Sequence, residues 1–359
     1  MTDINQLNKK RVLLRCDFDV PVKEGKITEN FRIKKQKETI NFLLENKATI
    51  VILAHISAIH SFESILTQIE KVLGHEIKFL KETRFDQLDQ LNLLDNIRRW
   101  PEEAENKEDF ARRLSEGFDI YINNDFAVSH RNHASISGVV KFLPSYAGLL
   151  IEEETNQLQK AANFPKEGKI IIIGGAKTES KVPVIKKFLE KSEKIILGGV
   201  VANDVFKERG MDIDGSVADK NSKELLTGID IYDERLVLAD DFNAPGGKIL
   251  DIGEKSIKKF GDLITQAKMV IWNGPMGLFE NPDYSAGTDG IVKSLTDSKC
   301  HKIIGGGDTI SAVDKLGLLD KFDPSVNSGQ AFVSTGGGAM LTFLAGDKLP
   351  GLEALGYYE

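Results

Sequence analysis

The chain has 359 residues, 41% of them hydrophobic and 28% charged, with a formal net charge of −7. That composition is globular and that length suggests two domains. The negative balance argues against nonspecific nucleic-acid binding, and no apolar run approaches the roughly 20 residues of a membrane helix. The two cysteines, Cys16 and Cys300, lack metal-ligand spacing and fit a reduced cytosolic protein. Met1–Asn5 lacks the basic-then-apolar order of a signal peptide, so a cytoplasmic location is expected.

In chain order, the first predicted strand is Arg11–Arg15, running into Cys16-Asp17-Phe18-Asp19-Val20-Pro21. Arg32 opens a helix with Ile33, Ile40, Leu43 and Leu44 on its apolar face. The strand Thr49–Leu53 delivers His55 to its C-terminal end; a helix over Ile65–Leu73 and a strand over Glu76–Leu80 follow. Leu93–Trp100 reads as strand then loop, because Pro101 disfavours helix before it. Glu102–Leu114 reads as one charged helix, and Ile120–Asn123 as a strand ending at Asn124-Asp125. Pro144–Lys160 is expected to be a connecting helix, followed by a polar stretch to Lys169 where the domain junction falls. This β–α alternation predicts a parallel sheet between helices, with ligands beyond the carboxyl ends of the strands. Arg15, Arg32, His55, Arg98, His130 and Arg131 all follow strands and are candidates for one anionic pocket. Each taken singly reads as a surface cation; their shared placement favours the pocket.

The second half centres on Ile170-Ile171-Ile172-Ile173-Gly174-Gly175-Ala176-Lys177, with Lys181 four residues on. Four β-branched residues read as a strand buried on both faces. A glycine turn and a helix start then offer backbone N–H groups to an anion, and the two lysines add charge. The plain alternative is an ordinary strand–turn–helix with solvated lysines. Further strands at Lys194–Leu197, Arg235–Leu238, Met269–Trp272, Lys302–Ile304 and Phe332–Thr335 mostly end in glycines. A nucleotide lying across the strand ends would explain that repetition. No G-x-x-x-x-G-K-[ST] loop is present, and Gly305-Gly306-Gly307 lacks the third spaced glycine of a dinucleotide fingerprint because Ile310 stands there.

Five segments together resemble the phosphoglycerate kinase family over almost the whole chain: Arg15–Pro21, Gly174–Lys177 with Lys181, Trp272–Glu280, Gly305–Thr309 and Val333–Ala339. Leu349-Pro350-Gly351-Leu352 is similar to the family's tail. The resemblance implies two similar-sized three-layer α/β/α lobes with parallel sheets, joined by a hinge helix. It implies a triose-phosphate lobe over 1–150, a hinge over 151–168, a nucleotide lobe over 169–345, and a tail, 346–359, returning to the first lobe. It further implies reversible transfer between 1,3-bisphosphoglycerate with ADP and 3-phosphoglycerate with ATP, assisted by Mg²⁺, in a monomer whose partners are small molecules rather than nucleic acid or membrane.

By the same resemblance, Asp17, Asp19, Arg32, His55, Arg98 and Arg131 bind the acid, and Arg32 and Lys177 are catalytic. Gly175, Lys181, Gly199, Asn273, Glu280, Gly305, Gly306, Gly307, Asp308 and Thr309 bind nucleotide; Glu280 meets the ribose and Asp308 holds the metal, directly or through water. The chemistry agrees: phosphoryl transfer needs positioning and charge neutralisation, and the acceptor carboxylate is already ionised, so none of the histidines need be a general base.

The first half departs from the family pattern. Asp19 stands where the family has asparagine, and His55-Ile56-Ser57-Ala58-Ile59 stands where it has His-Leu-Gly-Arg-Pro, so a substrate-binding arginine is missing. Gln330-Ala331-Phe332 replaces a segment that usually carries a histidine. Losing a charge-assisted hydrogen bond weakens binding by roughly ten- to a hundredfold, and a carboxylate at residue 19 works in the same direction. Arg99 or His60 offers compensating charge. Two other readings follow: a non-catalytic or regulatory nucleotide-binding homologue, and a kinase of another small carboxylate.

Overall fold

A computed structural model describes residues 8–322 and 330–359. Met1–Asn5, read above for a signal peptide, lies outside them. The chain forms two compact units: residues up to Asn156 together with Lys348–Glu359, and Gln157–Asp347.

In the first unit the strands are β1 (Arg11–Arg15), β2 (Thr49–Leu53), β3 (Lys78–Leu80), β4 (Leu91–Leu94), β5 (Ile120–Asn123) and β6 (Ser145–Ala147). They pair in parallel in the order β3-β4-β2-β1-β5-β6. Alternation along β1 assigns each residue a face. Val12 and Leu14 pack with Ile33, Ile40, Ile69 and Leu73 of the helices Phe31–Glu45 and Leu66–Leu73. Leu13 packs on the other face with Phe110 and Leu114 of the helix Glu108–Ser115. Both faces are therefore dry, which is why these strands read as continuous apolar runs.

The second unit has β7 (Lys169–Ile173), β8 (Lys194–Leu197), β9 (Leu236–Val237), β10 (Met269–Asn273), β11 (His301–Gly305) and β12 (Ala331–Ser334), in the parallel order β9-β8-β7-β10-β11-β12. The four isoleucines of β7 are all buried, as expected. The helix Val182–Leu189 packs with Gly337–Ala345, and Glu254–Gln266 with Ala286–Asp297. In each sheet the strand order reverses next to the first strand, between β1 and β5 and between β7 and β10. These are the crevices where open α/β sheets bind ligands.

Two sequence expectations are corrected. Ser145–Ala147 is the edge strand β6, paired with β5 from Tyr121 to Asn123, and the helix starts only at Leu149. A three-residue strand is too short to leave a period in the sequence. The expected helix over Glu102–Leu114 is two helices, Pro101–Ala104 and Glu108–Ser115, broken at Asn106, whose φ is +51°. Glu103, on the first of the two, is buried, and its carboxylate accepts from the Ser135 N–H at 2.8 Å and hydroxyl at 2.6 Å.

The glycines after the strands of the second unit have a structural reason of their own. The Gly174 N–H donates to the Asn273 carbonyl at 2.9 Å, and the Gly175 N–H to the Pro275 carbonyl at 2.7 Å. The turns after β7 and β10 thus lie backbone against backbone. A Cβ on Gly274, at φ +92°, would stand 2.1 Å from the Gly174 carbonyl oxygen. A Cβ on Gly307 would meet nothing within 4 Å. Gly274→Ala therefore combines left-handed strain with backbone overlap and is expected to cost on the order of 3 kcal/mol. Gly307→Ala should stay within about 0.5 kcal/mol of the parent. Thermal melts of the two variants check this; equal losses in both would contradict the assignment.

Candidate functional site

In the first unit the strand ends deliver polar groups to one place. Arg15 ends β1 with its side chain fully buried; it pairs with Asp125 at 2.7 Å, and its Nε donates to Ser135 Oγ at 3.0 Å. Burial opposes its charge, but Asp125 and Glu103 outweigh that and raise its pKa. Arg15 is thus a structural cation spent on Asp125, not the ligand-facing group that its position after a strand suggested. Its Nη2 also lies 3.1 Å from His55 Nδ1. Guanidinium only donates, so Nδ1 accepts and the imidazole proton sits on Nε2. That nitrogen faces Asp19 Oδ2 at 3.4 Å. Burial pulls the His55 pKa down, with Arg15 and Arg98 adding to it. The ring is a neutral hydrogen-bonding group.

Asp17 is buried beneath the site. Burial raises its pKa to about 6, although Arg32, with Nε 3.5 Å from its carboxylate, pulls the other way. Arg32 Nη1 donates to the Asp19 carbonyl at 3.1 Å. Burial pushes the Asp19 pKa up, but His55, the Ser57 N–H and Arg32 overcome that and hold it well below the usual carboxylate range. The Ser57 N–H and hydroxyl donate to the two Asp19 oxygens at 2.7 and 3.2 Å. Asp19 is therefore already partnered, which weakens the expected repulsion of an acidic ligand. Arg98 and Arg131 are exposed, and Arg98 Nη1 donates to Ser57 Oγ at 3.1 Å. Arg99 pairs with Asp95, so it is engaged away from the role of compensating cation suggested for it; His60 is exposed. The structure thus joins Asp17, Asp19, Arg32 and His55 by direct contacts and ties Arg98 to them through Ser57; among the described residues the Arg131 side chain is not tied into this set. Sequence reasoning missed Ser57 and Asn96, whose side chain accepts from the Arg98 N–H at 3.2 Å; neither side chain carries a periodic signature.

In the second unit a cavity of about 370 Å³ opens at the ends of the strands, with Phe206, Val217, Phe242, Met276 and Leu278 among its apolar walls. Gly175, Gly199, Glu280 and Asp308 also line it. Apolar walls with a few polar groups at one end suit a flat aromatic ring with a charged tail. Lys177 follows Gly175 and is exposed at φ +66°, ψ +66°. Its turn is held by the Thr178 hydroxyl, which donates to Asp204 Oδ2 at 2.5 Å inside the fold. Lys181 is mostly buried and donates to the Ala176 carbonyl. Burial lowers its pKa to about 8, against the attraction of Asp308, and Lys177 lowers it further.

Asn273 and Thr309 do not line the cavity; they join the turns around it. Asn273 Nδ2 donates to the Gly305 carbonyl at 2.7 Å, and the Gly274 N–H donates to Thr309 Oγ1 at 2.8 Å. Together they fix Gly306, at φ +102°, so that Gly307 and Asp308 begin the helix Gly307–Lys315 in the open. Such a helix start presents N–H groups to an anion. Asp308 is an exposed hard-oxygen donor. Among the described residues no group of three or more His, Cys, Asp and Glu could hold a metal alone.

The phosphoglycerate kinase family model matches residues 1–347. The chain is 35% identical over 397 aligned positions to the phosphoglycerate kinase of Finegoldia magna, covering 99% of this chain and 98% of that one. It is 36% identical over 392 positions to that of Nostoc punctiforme, covering 97% and 96%. The solved phosphoglycerate kinase of Pyrococcus horikoshii superposes with a TM-score of 0.85 at 27% identity, covering 98% and 96%; that of Coxiella burnetii gives 0.79 at 29%, covering 98% and 97%. The chain belongs to the phosphoglycerate kinase family.

Proposed function

We propose that this chain is a working phosphoglycerate kinase, which passes a phosphoryl group reversibly between 1,3-bisphosphoglycerate with ADP and 3-phosphoglycerate with ATP in glycolysis. The observation that carries the reading is the turn after β7. One short segment lines the nucleotide cavity through Gly175 and Ala176, exposes Lys177, and sets Lys181 beside it. A protein that only bound nucleotide would need no such exposed lysine at the phosphate end of its cavity.

In the forward sense of phosphorylation, a carboxylate oxygen of the acid attacks the terminal phosphorus as its bond to the bridging oxygen of ATP breaks. Lys177 and Arg32 neutralise the oxygens of the moving group. Lys181 and the helix start at Gly307–Thr309 hold the remaining phosphates. Glu280 takes the ribose, with Gly199, Gly305 and Gly306 shaping the pocket and Asn273 bracing it. His55, Arg98 and Arg131 receive the acid, with Asp17 holding Arg32 from beneath and Asp19 holding Ser57 beside it. Asp308 would help hold Mg²⁺, which would supply further charge neutralisation. We take residues 151–168, where the chain passes from one unit to the other, as the hinge that lets donor and acceptor meet while water is excluded.

A cytoplasmic monomer acting on small molecules is in keeping with the net charge of −7 and with two free, buried cysteines. Among the described residues no helix is long and apolar enough to cross a membrane. Ala58, standing where the family has an arginine, favours one second reading, a kinase of another small carboxylate.

A coupled assay with 3-phosphoglycerate, ATP and Mg²⁺ should show turnover. Lys177→Ala should lower kcat by about 10²- to 10³-fold while ADP affinity is largely kept. Activity at the buffer background beside tight ADP binding would refute the enzyme reading, and a better rate with another acid in a panel of carboxylates would favour the second one. The pH dependence has a definite sign. Lys181 is charged below about 8 and loses its proton above it, so kcat/KM for ATP should fall above about pH 8. Lys181→Arg should move that limb upward; an unchanged limb would show that another group sets it.

A further inference from the structure

Ser57 is the junction of the acid-binding side chains. Its N–H and hydroxyl both donate to Asp19, at 2.7 and 3.2 Å, and its oxygen receives Arg98 Nη1 at 3.1 Å. The direction of this chain is fixed by chemistry. Arg98 can only donate, so the single hydroxyl proton of Ser57 is directed to the Asp19 carboxylate. The same Asp19 oxygen faces His55 Nε2 at 3.4 Å, and the Asp19 carbonyl accepts from Arg32 Nη1 at 3.1 Å. The loop is held from below by Asn96. Its side chain donates to the Ile56 carbonyl at 2.8 Å and accepts from the Ile56 N–H at 3.3 Å and the Arg98 N–H at 3.2 Å. One side chain thus fixes both the loop that carries Ser57 and the start of Arg98.

We propose that Ser57 is a substrate-positioning residue of this chain: it aims the Arg98 guanidinium and occupies the Asp19 carboxylate, so that the pocket presents a fixed cation to the acid. The inference rests on the phosphoglycerate kinase reading of the site. It reverses the simple expectation from charge. Asp19 is the anchor that polarises Ser57 toward Arg98, so Asp19→Asn removes a negative charge without improving affinity for the acid.

Calorimetric titration of 3-phosphoglycerate into the full-length protein reads the proposal without requiring turnover. Ser57→Ala should weaken binding by about tenfold, the loss of one hydrogen bond to a charged group. Ser57→Thr, which keeps the hydroxyl, should restore most of it. ADP binding, which belongs to the other unit, should be unchanged in both. In an Arg98→Ala background, Ser57→Ala should cost clearly less than in the wild type, because only the freeing of Asp19 is then left to act. In the coupled assay the KM for 3-phosphoglycerate should rise with Ser57→Ala far more than kcat falls. Wild-type affinity in Ser57→Ala, or equal losses with and without Arg98, would overturn the proposal and leave the kinase reading intact. Wild-type binding without turnover would refute the kinase reading while the Ser57→Ala ratio still decides this one. Absence of both binding and turnover would refute the two together.

Discussion

The approach of two backbones, at the turns after β7 and β10, is the constraint on which the proposed nucleotide site depends. Where strand order reverses, neighbouring loops diverge and leave a crevice, but here their first residues are drawn together by Gly174–Asn273 and Gly175–Pro275 hydrogen bonds. Only a residue without a side chain fits at Gly274. That contact starts both loops from one rigid base. One then climbs through Lys177 and Lys181; the other runs through Met276 to Glu280 along the wall of the cavity. Thr309, tied to the Gly274 N–H, brings the helix Gly307–Lys315 to the same base. The places proposed for phosphate groups are therefore set by main-chain geometry before any charge is considered.

The first unit solves the complementary problem, how to assemble cations without leaving them to repel one another. Arg15 and Arg32 are each matched to a buried carboxylate, Asp125 and Asp17. Isolated buried charges are costly, and paired ones are tolerated when hydrogen bonds complete their shells. Arg15 has such a shell in Ser135, His55 and the Cys16 carbonyl. Arg98 and Arg131 stay exposed, where solvent and salt screen them. The result is a graded site, with fixed ion pairs beneath and available guanidinium groups above.

Much of this was legible in the sequence because it is written in periodic or chemically specific form. Short apolar runs marked the strands at Arg11–Arg15, Thr49–Leu53 and Lys169–Ile173, the last two rich in β-branched residues, and residues just past strand ends marked both crevices. What escaped has physical reasons. A polar residue after a strand can face inward or outward, and Arg15 turns in because Asp125, over a hundred positions later, awaits it. Asp19 looked like an unfavourable charge because the sequence does not reveal that Ser57 and His55 converge on it. The glycines suggested a ligand, yet several answer first to a neighbouring turn. Helical periodicity through Glu102–Leu114 concealed the break at Asn106, since a single left-handed residue barely disturbs the pattern.

On the proposed reading, the strand-end turns of the second unit hold a nucleotide with its phosphates against Lys181 and the helix start at Gly307. A crystal structure of the protein with MgADP and 3-phosphoglycerate tests it most directly. The account predicts the base among Phe206, Val217 and Leu278, the phosphates within hydrogen-bond reach of Lys181 and the Gly307–Thr309 N–H groups, and the acid against Arg98 and His55. Nucleotide density elsewhere on the molecule, with that cavity filled only by water, would contradict it.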